Sequence, residues 1–116
     1  MVAGVEQGMK AWSDGSIQEF ARSSAEASEL LSLLANPNRL RILCELLDGE
    51  RSVSALEAVV GLSQSALSQH LAKLREGGIV TTRREAQTIY YSIADKRAER
   101  VLAVLADIFC KPRKRG

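Results

Sequence analysis

The stretch Ser54–Gly78 constrains the fold most. It holds two short helical patterns in succession, each opened by a capping residue and closed by glycine. Ser54 followed by Glu57 has the spacing of a capping box ahead of Leu56, Val59 and Val60. Gly61 breaks that pattern. Ser63 then stands where it caps a second helix, whose apolar stripe is Leu67, Leu71 and Leu74. Gly77-Gly78 stops it. Two short amphipathic helices joined by a tight turn read as a helix-turn-helix.

The signal after this pair is β. Ile79–Arg83 and Thr88–Ile93 are short and rich in β-branched or aromatic residues, and they flank the polar turn Arg84–Gln87. A hairpin directly after a helix-turn-helix makes a wing. Upstream, Ile17, Phe20, Ala21, Ala27, Leu30, Leu31 and Leu34 recur at helical spacing between Ile17 and Ala35, as one helix or as two with a break near Ser23–Ser24. Asn36-Pro37 restarts the chain: Asn caps, and Pro suits the first helical position because its missing N–H has no partner there. That helix lines up Leu40, Leu43, Leu46 and Leu47 and stops at Asp48-Gly49. Asp95 caps a last helix that runs to about Phe109, with Val101, Leu102, Leu105, Ile108 and Phe109 on its apolar stripe. The expected fold is mainly α with a small β-hairpin, a winged helix-turn-helix over residues 16–110. A poorly ordered arm, 1–15, and a basic tail, 111–116, flank it.

Bulk composition agrees with one such domain. The chain has 116 residues, 46% hydrophobic and 26% charged, enough for a core without metal or disulfide support. Its apolar runs are too short to span a membrane, and Met1–Lys10 lacks a secretory pattern, so the chain reads as cytoplasmic. The net charge of +2 is unevenly spread: residues 1–35 carry two basic and five acidic groups, residues 95–116 seven basic and three acidic. A modest basic excess suits phosphate binding without requiring it. The tail Lys111–Arg115 reads either as a DNA contact or as a solvated end.

The second helix of the pair carries the chemistry for reading DNA. Opposite its apolar stripe lie Ser63, Gln64, Ser65, Ser68 and Gln69. Glutamine pairs bidentately with adenine, and serine contacts bases or phosphates. A helix N-terminus also suits a phosphate oxygen. Farther along, His70, Lys73 and Arg75 are placed for the DNA backbone, and Arg83 and Arg84 for the hairpin tip. A solvated polar face explains the serines and glutamines alone, but not their combination with the caps, the glycine stops and the arginine-bearing hairpin. The single histidine lies in this helix, and no Ser/His/Asp set, carboxylate pocket or phosphate loop appears, so no enzyme and no cofactor are expected.

Three stretches carry a family resemblance: Asn36-Pro37-Asn38-Arg39-Leu40-Arg41-Ile42-Leu43, the run from Leu62 to Gly78, and Tyr90-Tyr91-Ser92-Ile93. Over roughly residues 25–109 the chain resembles the ArsR/SmtB family. The resemblance implies a homodimeric repressor that leaves double-stranded operator DNA when an effector is sensed. It also implies pairing through the first and last helices, although their apolar stripes serve equally as intramolecular core. Family members that sense arsenic or cadmium carry Cys-Val-Cys where this chain has Ser52-Val53-Ser54, and hydroxyls are poor ligands for soft metals. Zinc-sensing members use Asp and His on the last helix. Asp95 matches the first position, but Arg97 and Ile108 stand where histidines are expected. No metal site is expected at either place.

Cys44 and Cys110 remain, 66 residues apart. Two lone cysteines are often inert packing groups. Their placement, however, resembles the BigR/SqrR branch of the family, which includes HlyU-like regulators. That likeness implies redox sensing: persulfide or a related oxidant joins the two thiols in a disulfide or polysulfide bridge. Arg41, one turn before Cys44, and Lys111 and Arg113, beside Cys110, favour thiolates. The helix dipole disfavours one at Cys110, so Cys44 is expected to attack first. Two other readings stay open: a metal sensor that uses both cysteines with ligands from a second subunit, and a constitutive DNA-binding protein with inert cysteines.

Overall fold

The computed structural model describes residues 15–110. The chain divides into two compact units, Met1–Leu31 and Ser32–Gly116. The expected arm and tail lie outside the described residues, except that Gly15 already opens helix α1 (Gly15–Arg22). Within the first unit a single turn residue, Ser23, separates α1 from α2 (Ser24–Leu34). The Ser23 N–H donates to the carbonyls of Glu19 and Phe20, and the Ser23 carbonyl accepts from the Ala27 N–H. The Ser24 hydroxyl donates to the Ala21 carbonyl at 2.8 Å. Backbone groups freed by the break are thereby paired, and the break falls where the sequence places it.

The second unit carries α3 (Pro37–Leu46), β1 (Arg51–Ser52), α4 (Val53–Val60), α5 (Gln64–Glu76), β2 (Val80–Glu85), β3 (Thr88–Ile93) and α6 (Lys96–Phe109). The Asn36 side chain accepts from the N–H groups of Asn38 and Arg39, with Pro37 opening α3 as expected. The Arg39 guanidinium donates to the carbonyls of Leu33 and Ser32, which satisfies acceptors left over at the end of α2. Ile42, Leu43 and Leu46 from α3 meet Leu56 and Val60 from α4, Leu67, Leu71 and Leu74 from α5, and Ala98 and Leu102 from α6 in one buried core. This is a winged helix-turn-helix.

Two details differ from the sequence reading. The hairpin gains a third strand: β1 pairs with β3, so the antiparallel sheet runs β1-β3-β2. The residue that caps α4 is Ser52, not Ser54. Pairing with Tyr90 holds Ser52 extended at φ −75°, ψ 162°, and its hydroxyl accepts from the Ala55 N–H at 3.1 Å. Ser54 is already inside the helix. The strand pairing that decides this joins residues far apart in sequence, so the local Ser54/Glu57 pattern does not reveal it.

Candidate nucleic-acid interface and thiol cleft

Helix α5 is built to be held on one side and free on the other. Leu67, Leu71 and Leu74 recur at i, i+4 and i+7 and are at most 2% exposed. Ser63, Gln64, Ser65, Ser68, Gln69 and Lys73 are all exposed, and His70 is half-buried at the margin. The Ser63 hydroxyl accepts from the Ala66 N–H at 3.1 Å, so its acceptor role is capping, and its own O–H stays available to a ligand. Gly61 turns the chain between α4 and α5 in the left-handed region, φ 67°, which a side chain disfavours. An open cleft of about 550 Å³ lies between α5 and the sheet, with Ser68, Arg75 and Glu76 on one wall and Ile89 and Tyr91 on the other.

Arg83 departs from the expected tip position. Strand β2 runs on to Glu85, and the turn is Ala86-Gln87, with Ala86 at φ 56°. Arg83 therefore sits within the ladder, opposite Tyr90. Its guanidinium carbon stands 4.6 Å from the centre of the Tyr90 ring. Nε and Nη2 bind both oxygens of Glu50, at 2.9 and 2.8 Å, and Nη1 binds Glu85 at 3.0 Å. Arg83 holds the Glu50 carboxyl below the usual carboxylate range, and the two carboxylates raise the Arg83 guanidinium further. Arg84, also expected at the tip, is likewise in the ladder, opposite Ile89, and is exposed. Glu50 escaped sequence reasoning because it lies 33 residues from Arg83 and approaches only through sheet pairing.

The two thiols share a cleft of about 270 Å³ with Leu40, Arg41, Glu45, Val59 and Val60. Cys44 sits in the last turn of α3 and is half-buried. Cys110 follows α6, is exposed, and donates its backbone N–H to the Ala106 carbonyl at 2.8 Å. Both are free thiols. Burial pushes the Cys44 thiol up, and the nearby Cys110 and Glu45 push it the same way. Arg41, expected from the sequence to support a Cys44 thiolate, lines the same cleft. Its guanidinium also donates to the Val59 carbonyl at 3.3 Å, at the end of α4. Lys111 and Arg113 lie outside the described residues. Among the described residues no three His, Cys, Asp or Glu side chains group as a metal ion would require. No described helix is long and apolar enough to cross a membrane.

A capped helix-turn-helix with a free polar face, next to a three-stranded wing, is the arrangement of a DNA-binding regulator. Residues 36–82 match the model for bacterial regulatory proteins of the arsR family. The transcriptional activator HlyU of Vibrio cholerae is 47% identical over 95 residues, 82% of this chain and 88% of its own. This chain belongs to the ArsR family. The biofilm growth-associated repressor of Agrobacterium fabrum is 47% identical over 91 residues, 78% of each chain. The structure of reduced HlyU from Vibrio cholerae superposes with a TM-score of 0.77 at 48% identity, covering 81% of this chain and 99% of that one. The relatives are transcriptional regulators rather than enzymes, and the chain falls in the branch that includes the biofilm repressor.

Proposed function

We infer that the protein is a homodimeric repressor that releases operator DNA when Cys44 and Cys110 are joined by a reactive sulfur species. The observation that carries this reading is the shared cleft: two free thiols remote in sequence, one in α3 and one just after α6, line one small cavity. Operator contacts come from Ser63, Gln64, Ser65, Ser68 and Gln69 at base edges, and from His70, Lys73 and Arg84 at the backbone. In the protomer Val104, Ile108 and Phe109 of α6 are 58%, 55% and 76% exposed, which supports a second copy packing there. A chain that works on operator DNA belongs in the cytoplasm.

The exposed Cys110 attacks first, the reverse of the order expected from sequence. Its sulfur takes the outer sulfur of a persulfide, R–S–SH, and releases the thiol R–SH. Cys44 then attacks the Cys110 sulfur, expelling hydrogen sulfide and leaving a Cys44–Cys110 disulfide. Both cysteines are oxidised, and the transferred sulfur leaves reduced. If a second R–S–SH first converts Cys44 to a persulfide and releases R–SH, the same joining step expels hydrogen sulfide and leaves a trisulfide. Bonding the end of α6 to α3 shifts the dimer contact and with it the spacing of the two α5 helices. Half-sites about one helical turn apart tolerate such a shift poorly.

The test pairs operator binding with mass spectrometry after persulfide treatment. Cys44→Ser and Cys110→Ser are expected to bind the operator like the native protein and to ignore persulfide. Cys44→Ser keeps a persulfide on Cys110, whereas Cys110→Ser reacts slowly. Normal release of either variant sinks the two-thiol reading. Stoichiometric zinc or copper in the reduced protein, with metal-dependent release, would favour a metal sensor instead.

A further inference from the structure

We propose that Glu50 is a specificity-determining residue that keeps Arg83 from adding to non-specific DNA affinity. The inference rests on the reading of the wing as a DNA-facing element. In the sheet order β1-β3-β2, Arg83 lies on one outer strand and Glu50 immediately precedes the other. The guanidinium crosses the central strand above Tyr90 and reaches Glu50 on the far side. Guanidinium forks bind carboxylate and phosphate in the same bidentate geometry. Glu50 therefore occupies the donors that a phosphate would use, and Glu85 takes a third. The cluster of Arg83, Glu50 and Glu85 carries a net charge of −1, so the wing offers DNA no attraction at this position.

Any duplex that engages Arg83 must exchange a charge-assisted pair for an equivalent one. That exchange gains little, and displacing Glu50 brings its carboxylate against the phosphates. Non-specific binding depends on released counterions, with a slope in log K against log salt of about 0.9 per neutralised phosphate. Arg83 adds nothing to that slope while Glu50 holds it. The pair thus lowers background affinity without touching the base-reading face of α5, and the ratio of operator to non-specific binding rises.

The experiment measures binding of the reduced full-length protein to a scrambled-sequence duplex by fluorescence anisotropy across a salt series. Glu50→Gln keeps the shape and removes the charge. It is expected to bind the scrambled duplex more tightly and to steepen the slope by about 0.9, so that its advantage grows about 3.5-fold between 200 and 50 mM salt. The double variant Glu50→Gln/Arg83→Gln, which has no guanidinium left to free, is expected to abolish the gain. Thermal melting verifies that each variant is folded. Weaker or unchanged binding by Glu50→Gln overturns the proposal, as does a gain that survives in the double variant. Salt-dependent duplex binding by the native protein separates those failures from failure of the DNA reading itself. Its absence would overturn both.

Discussion

Asp95 shows what one side chain contributes at the entrance to α6. Its carboxylate accepts from the backbone N–H groups of Arg97 and Ala98 and is clamped by the Arg97 guanidinium at 3.1 and 2.7 Å. The Arg97 side chain, and then the two backbone donors, hold the Asp95 carboxyl down to about 2. The folded value lies below that of the unfolded chain, near 4, so the stabilisation is fully present above about pH 4. It is lost as pH falls towards 2. Asp95→Asn keeps a capping oxygen and is expected to remove that part of the acid dependence. Asp95→Ala is expected to cost about 1 kcal/mol at neutral pH. Thermal unfolding across an acid series measures both. The position that resembles a metal ligand in the family's zinc sensors thus serves here as a helix cap. The Ser52 hydroxyl plays the same part for α4, where other members carry a thiol.

Turns set the angle between elements, and two of them use the left-handed region, one at a glycine and one at an alanine. Gly61 adopts φ 67° between α4 and α5. Gly61→Ala places a side chain in that conformation and is expected to destabilise by about 1–2 kcal/mol. Ala86 already carries such a side chain at φ 56° in the wing turn. Ala86→Gly is expected to be neutral or stabilising by up to about 1 kcal/mol, because the first central residue of a two-residue hairpin loop prefers glycine there. At about 4–8 °C of Tm per kcal/mol for a domain of this size, calorimetry resolves the two signs. Elements as such were legible in the sequence because each rests on local signals. The helix pair, its glycine stops, the presence of a hairpin and the Asp95 cap all appear as read, while the hairpin turn is tighter, Ala86-Gln87 rather than Arg84–Gln87. The α4 cap was not legible, because pairing with Tyr90, 38 positions away, decides it, and neither was the Arg83 partner Glu50, which lies 33 residues off.

At the scale of the whole molecule, the apolar surface of α6 requires an explanation that the single chain does not supply. Val104, Ile108 and Phe109 lie in the open although their spacing is that of a buried stripe, while Ala98 and Leu102 of the same helix are fully buried. The proposed dimer predicts that Ile108→Glu folds normally, since the side chain is 55% exposed in the protomer. It is expected to weaken self-association by roughly tenfold or more and operator binding with it. Sedimentation alongside thermal melting checks this, and an unchanged dimer would place the contact elsewhere.

The residues alone determined that this chain forms a winged helix-turn-helix with a serine- and glutamine-rich α5, because caps, stops and periodicity act within a few positions of one another. They also supplied the family likeness and the two thiols that remain where ligands are missing. Only the tertiary structure brought Cys44 and Cys110 to one cleft, half-buried the first and exposed the second. Only the sheet carried Arg83 across Tyr90 to Glu50. Thiol reactivity and the charge a wing offers depend on burial and on partners distant in sequence, and packing alone assembles those.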